Sequence, residues 1–292
     1  MASVGSQSMV APLKRVVMKR PEEAFRNAQQ IAAQWKDLNY VSAPDLAGAS
    51  REHAKFVELL RASGTEVLLQ PEDSRTGLDS IYTHDASLAT EKGVILFQTG
   101  KPQRRGEGPA LGDALRKWDI PVLGVIDGEA TAEGGDMIWL DRTTLIVGRG
   151  FRTNAAAIIA LRKLLEPLGV KVLSFDLAYG TGPADVLHLM SFMSMLADDL
   201  AVVHRPAMPV ALYELLQERR IQFVDIPEKE YPTQACNILA FAPRKLIMLR
   251  GNPITADRLR AAGCEVHELE GAEMSMKGAG GPTCLTRPIL RA

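Results

Sequence analysis

Close to the end of the 292-residue sequence, GAGGPTC delivers Cys284 behind three glycines and a proline. Glycines ahead of a reactive side chain mark backbone that must bend or approach another group closely. A cysteine with an ordinary pKa of ~8.5 is mostly thiol at neutral pH, so nucleophilic use needs something to stabilise the thiolate. Two partners are open: a histidine, or a cationic substrate whose charge acts directly on the sulfur. His188 lies between two leucines in VLHLM, a setting that otherwise reads as an apolar strand holding a core histidine. His53 reads as a helix-surface residue, and His204 and His267 read as strand residues. An imidazole that works as acid and base must be oriented, and Glu133 in EGGD is the carboxylate suited to it. Cys236 and Cys264 sit in apolar or turn contexts and read as small buried hydrophobes.

Asp79 and Asp85 in DSIYTHDAS join Glu133 and Asp136 in an acidic set. With His84 or His188 these carboxylates could ligate a divalent ion, but no close-set histidine pair accompanies them. A planar guanidinium is the better match, because its parallel N–H donors pair with carboxylates. A small cationic substrate is therefore expected, with no metal and no organic cofactor.

Positioning these residues falls to a repeated unit. Five segments read as an amphipathic helix closing through a turn into a strand: 53–71, 112–126, 154–175, 209–227 and 255–270. Their starts lie roughly fifty residues apart, a spacing typical of arrays. Further strands are expected at 15–21, 93–100, 143–150, 200–206 and 245–251. A strand pair, a helix and a strand, repeated, predicts small sheets around a centre with helices outside. A single open doubly wound sheet is the alternative, but KRVVMKRPEEAF lacks a glycine-rich phosphate loop after the first strand. The segments DSIYTHDAS, EGGD, VLHLM, QACNILA and GGPTC each follow one helix-strand unit, and in a closed ring they would converge on the axis.

Composition narrows the function classes. Apolar residues make up 46% and charged residues 24%, which is ordinary for a globular chain. A net charge of −1 gives no electrostatic footprint for nucleic acid or an anionic membrane. Three dispersed cysteines support neither a disulfide framework nor a zinc site, so a reducing cytoplasm is expected. The apolar stretch Leu187–Leu200 is interrupted by His188, Ser191, Ser194 and two aspartates, so no membrane span is expected. Residues 1–9 read as a disordered leader or tag, with Met9 a natural start, ahead of a single catalytic domain over 10–292.

In their order along the chain, DSIYTHD, KPQRRGE, AEGGDM, IVGRGFRTNA, VLHL, ACNIL and GGPTCLTRP resemble the guanidine-modifying amidinotransferase superfamily, the penteins. Within it the similarity is to dimethylarginine dimethylaminohydrolases. The resemblance implies an α/β fold, a five-bladed propeller of ββαβ-type units. It implies Cys284 as nucleophile, His188 as general acid and base, and Glu133 as its partner. It also implies Asp79, Asp85 and the adjoining His84 around the guanidinium, Arg104 and Arg152 on a substrate carboxylate, and a structural Asp136. Two departures stand out: His84 occupies a place commonly held by Glu, and Met190 replaces the acid of the H-x-D pattern found in arginine deiminases and glycine amidinotransferases. The implied reaction converts Nω,Nω-dimethylarginine or Nω-methylarginine to citrulline and an alkylamine, in a protein expected to form a homodimer. The alternatives are an arginine deiminase-like hydrolase, an amidinotransferase, or a non-catalytic pentein binding module such as a ribosome-associated initiation factor.

Overall fold

Residues 4–184 and 186–292 are described by a computed structural model of the chain. Its helices begin and end where local chemistry directs. In helix Leu46–Ala62, the Asp45 carboxylate accepts the Gly48 N–H at 2.7 Å, satisfying one of the free donors of the first turn. After its last turn Gly64 takes a φ of +85°, a conformation that costs glycine little, and the chain enters the next strand. Helix Ala155–Leu165 is capped in the same way, with Asn154 Oδ1 accepting the Ala157 N–H at 2.9 Å. Helices Glu107–Lys117, Val210–Glu218 and Pro253–Ala261 complete the expected five.

Among the described residues the strands form five three-stranded sheets. The first holds β1 (Leu13–Met18) between β15 (Arg287–Arg291) and β2 (Glu66–Leu69). The second runs β3 (Ser87–Thr90), β4 (Gly93–Phe97), β5 (Val122–Ile126), and the third β6 (Met137–Asp141), β7 (Thr144–Arg149), β8 (Lys171–Asp176). The fourth is β9 (Met193–Ala197), β10 (Leu200–Val203), β11 (Gln222–Asp225), and the fifth β12 (Leu239–Ala242), β13 (Lys245–Leu249), β14 (Glu265–Leu269). In every sheet the middle strand pairs antiparallel with one neighbour and parallel with the other. Antiparallel neighbours can be joined by short turns such as Glu91–Lys92, whereas the parallel pair needs a long crossover, and the helix supplies it.

Burial orders the strands within each sheet. β3 and β9 are buried along their whole length, while β5, β8 and β14 expose several residues. The buried strands also touch across sheets: β15 meets β3, and β9 meets both β6 and β12. Strands covered on both faces lose the polar alternation that marks a half-exposed strand. The chain therefore closes on itself, with β15 beside β1, and the segment entering each of β3, β6, β9, β12 and β15 is one of the five chemistry-bearing stretches.

Several expectations are corrected. Residues 4–9 are not a disordered leader: the Gly5 N–H donates to Ile289 O at 2.9 Å, the Arg291 N–H donates to Gly5 O at 2.7 Å, and Gln7 is buried against Arg142. The rest of that leader, residues 1–3, lies outside the described residues. His53 is buried rather than on a helix surface, and burial lowers its pKa to about 4. His204 is also buried and stacks on Tyr231. His188 does not lie on a strand; it caps the short helix Leu189–Phe192 ahead of β9. Among the described residues no helix is long and apolar enough to cross a membrane.

Candidate active site

Glu133 and His188 come from consecutive inter-sheet segments and meet at 2.8 Å, Glu133 Oε2 to His188 Nε2. The glycines of EGGD permit it. A Cβ on Gly135 would lie 2.3 Å from His188 Nδ1, and one on Gly134 would lie 2.2 Å from the His84 carbonyl oxygen. Glu133 is fully buried, and its other oxygen accepts the Lys101 N–H at 3.1 Å with Arg152 Nη1 at 3.5 Å. Asp136 anchors the histidine segment, its Oδ1 accepting the Leu189 N–H at 3.1 Å.

Electrostatics hold the imidazole charged. Burial opposes the imidazolium, but Asp136, Glu133 and Asp85 outweigh it and raise the His188 pKa to about 9. Glu133 is correspondingly held below its ordinary value by His188, against the opposing effect of burial. Asp136 is pushed up to about 7, chiefly by burial, with His188 working the other way.

Cys284 enters the same cavity, of about 270 Å³, with His188, Asp79, Asp85, Arg152 and Met190 among its lining. The sulfur is half-buried and accepts a hydrogen bond from Asn237 Nδ2 at 3.0 Å. Asn237 Oδ1 in turn accepts the Thr283 N–H at 3.0 Å, so one amide fixes both the thiol and the backbone behind it. The glycines of GAGG allow the loop to press on neighbouring side chains: a Cβ on Gly280 would lie 2.4 Å from the Tyr82 ring, and one on Gly281 would lie 2.6 Å from Asn237 Cγ. Burial and the nearby Asp85 charge push the thiol up to about 12, outweighing the Asn237 hydrogen bond, so the unliganded protein holds a neutral thiol beside a charged imidazole.

The remaining site residues divide. Asp79 and Asp85 both line the cavity, but each has a cationic partner: Lys101 Nζ lies 2.6 Å from Asp79 Oδ2, and Arg104 Nη1 lies 2.7 Å from Asp85 Oδ2. Burial works against the Asp85 charge, yet Arg104 and His188 hold its pKa well below the carboxylate range. Arg104 is expected to read a substrate carboxylate; its guanidinium is instead clamped by Glu107, Asp85 and the Tyr82 carbonyl. His84 is expected at the guanidinium, yet it is absent from the cavity lining. Its Nδ1 meets the Thr286 carbonyl at 2.8 Å, and burial lowers its pKa to about 3, leaving a neutral ring behind the cysteine loop. Arg152 lines the cavity, where it approaches Glu133 rather than standing apart. Two cavity residues escape the sequence reading, Asn237 and Lys101: ACNIL and KPQRRGE flag their segments, but neither residue type announces a role at a thiol or an acid pair.

Among the described residues, Asp85, Glu133 and His188 offer ligand atoms within 4.8 Å of one another and are the group that could hold a cation. Their atoms are already engaged with one another, with Arg104 and with the Gly135 N–H, which makes the trio an ion-pair network.

A family model described as N,N dimethylarginine dimethylhydrolase, eukaryotic, matches residues 20–291. The chain belongs to this family. A dimethylarginine dimethylaminohydrolase from Streptomyces coelicolor is 30% identical over 277 residues, 94% of this chain and 96% of that one. An arginine deiminase from Listeria welshimeri is 25% identical over 252 residues, 72% of this chain and 61% of the deiminase. The family fold is shared with a solved structure of the Pseudomonas aeruginosa dimethylarginine dimethylaminohydrolase, a cysteine-to-serine mutant complexed with citrulline. It gives a TM-score of 0.77 at 24% identity, covering 96% of this chain and all of that one.

Proposed function

We propose that the chain is a cysteine-dependent hydrolase of guanidino groups, acting on Nω,Nω-dimethylarginine or Nω-methylarginine to give citrulline and an alkylamine. The observation that carries this reading is the gathering of Cys284, His188 and two buried aspartates around one cavity, with Glu133 bonded to His188. In this mechanism a substrate guanidinium enters, and its positive charge favours loss of the Cys284 proton to solvent. The thiolate attacks the central carbon to form a C–S bond, and the His188 imidazolium gives its proton to the departing nitrogen as the C–N bond breaks. The amine leaves an S-alkylthiouronium on the protein. His188, now neutral, takes a proton from water as the water attacks; the C–S bond breaks, and the ureido product departs with Cys284 regenerated. Asp79 and Asp85 hold the guanidinium plane, and Glu133 keeps the imidazole oriented. Arg152 faces the substrate carboxylate, while the clamped geometry of Arg104 favours a role in holding Asp85. The five sheets stand, in the same proposal, as blades of a five-bladed α/β propeller with β3, β6, β9, β12 and β15 at its centre.

The deiminase-like and amidino-transfer readings are disfavoured by Met190, which lines the cavity where the H-x-D pattern would bring an acid. A non-catalytic binding module would not require the cysteine, histidine and acid places to be filled. The test is a colorimetric screen for ureido product with methylated arginines, arginine and shorter guanidino acids, with and without an acceptor amine. Ureido formation without acceptor, fastest with a methylated arginine, is expected. Preference for arginine would favour the deiminase reading, dependence on the acceptor would favour transfer, and turnover of none would leave the binding module.

A further inference from the structure

Lys101 is a cation placed where the cavity should receive one. Its side chain is about one-tenth exposed, and its ammonium makes two internal contacts, to Asp79 Oδ2 at 2.6 Å and to the Leu38 carbonyl at 2.8 Å. Asp79 is one of the two carboxylates assigned above to the guanidinium. Both residues line the cavity, so a bound guanidinium and the Lys101 ammonium compete for one acid. Its partner acid differs in kind: Asp85 is held by Arg104, whose guanidinium is fixed by a second acid, Glu107, and cannot easily turn away. Among the described residues Lys101 has no second acid within its hydrogen bonds, only a carbonyl, and an ammonium on a four-carbon stem can reorient. Its backbone is meanwhile fixed, the N–H donating to Glu133 Oε1 at 3.1 Å, so the stem pivots from a held point.

We propose that Lys101 is a specificity-determining residue: its ammonium occupies Asp79 until a substrate guanidinium displaces it, and the displaced ammonium then pairs with an acid group elsewhere on the substrate. This inference rests on the guanidino-hydrolase reading. Its consequence is discrimination between guanidines by charge. A guanidine without an acid group removes Lys101 from Asp79 and offers nothing in return, leaving a poorly solvated ammonium beside a second cation. A guanidine carrying a carboxylate replaces the lost ion pair with a new one. The occupant the cavity selects is thus a guanidino acid rather than an alkylguanidine or a guanidino amine.

The test compares 4-guanidinobutanoate with butylguanidine, near-isosteric chains that differ in the carboxylate, on the wild type, Lys101→Met and Lys101→Gln. The wild type is expected to favour the acid. In both variants the KM for butylguanidine should fall about tenfold while its kcat changes far less, and the preference for the acid should shrink. A merely structural lysine would raise KM or lower kcat for both compounds alike, and that result, or an unchanged butylguanidine KM, overturns the proposal. A second measurement uses the wild type alone: protection of Cys284 from iodoacetamide should require less 4-guanidinobutanoate than butylguanidine, and equal protection would also overturn it. A wild type that turns over no guanidino compound, while protected unequally by the two in a way that Lys101→Gln lessens, would sink the hydrolase reading and leave the Lys101 subsite standing.

Discussion

Cys284 and His188 are both held protonated at neutral pH: the thiol is pushed up to about 12 and the imidazole to about 9. The proposed chemistry needs the reverse on sulfur only, a thiolate with an imidazolium. At substrate levels below KM, the fraction in that form climbs about tenfold per pH unit until His188 begins to lose its proton. Above that point the gain in thiolate is cancelled by the loss of imidazolium. The profile of kcat/KM should therefore rise through neutral pH and level off near pH 9. A plateau beginning near pH 6 would show that the thiol is ionised in the free protein and that substrate charge is not needed. At this scale Glu133, His188 and Cys284 were legible as candidates because their residue types advertise their chemistry, and the structure brings them to one region. Asn237 was not legible: a neutral amide is as common in turns as at thiols, and only the 3.0 Å contacts to Cys284 Sγ and the Thr283 N–H reveal its place. His84 misled for the opposite reason, since its neighbours in sequence line the cavity while its own ring turns to Thr286.

The elements carry a different kind of information. Helix-to-strand units were readable because an amphipathic helix and a half-exposed strand each leave a periodic trace. β3, β6, β9, β12 and β15 were not read as separate strands, because strands covered on both faces have no alternation to find, and the motifs just ahead of them drew attention away. Those motifs are where element geometry becomes the geometry of the proposed site. In the turn Gly134–Asp136, the space for the His188 ring exists only because residue 135 has no Cβ. Gly135→Ala should push the imidazole off Glu133 and lower kcat about 100-fold or more. Far-ultraviolet circular dichroism should stay at the wild-type spectrum. Wild-type kcat in this variant would mean that the Glu133–His188 contact does not matter to turnover.

For the whole molecule, closure is the feature that matters. β15 follows Cys284 by three residues and pairs with β1, so the proposed nucleophile is carried on the segment that completes the first sheet. Ile289 is fully buried on that strand and packs in one cluster with Val17, Ala89, Val94 and Leu111, which joins the first sheet to the second. Ile289→Ala should cost about 2–5 kcal/mol of stability by urea unfolding, the usual range for emptying a core site. A loss below about 1 kcal/mol would indicate that the closure is not tightly packed. The five-part plan was visible in the repeat of about fifty residues. The place of residues 4–9 was not, since a short polar run reads as disordered until Ile289, Arg291 and Arg142 are seen beside it.

The central claim is that turnover passes through a covalent bond to Cys284. Its most direct test is mass spectrometry of protein acid-quenched during steady-state turnover of Nω-methylarginine, with Cys284→Ala as control. An adduct of the substrate less methylamine, confined to the peptide containing Cys284, together with loss of turnover in Cys284→Ala, is the predicted result. Ureido product formed by Cys284→Ala at the wild-type rate would contradict it.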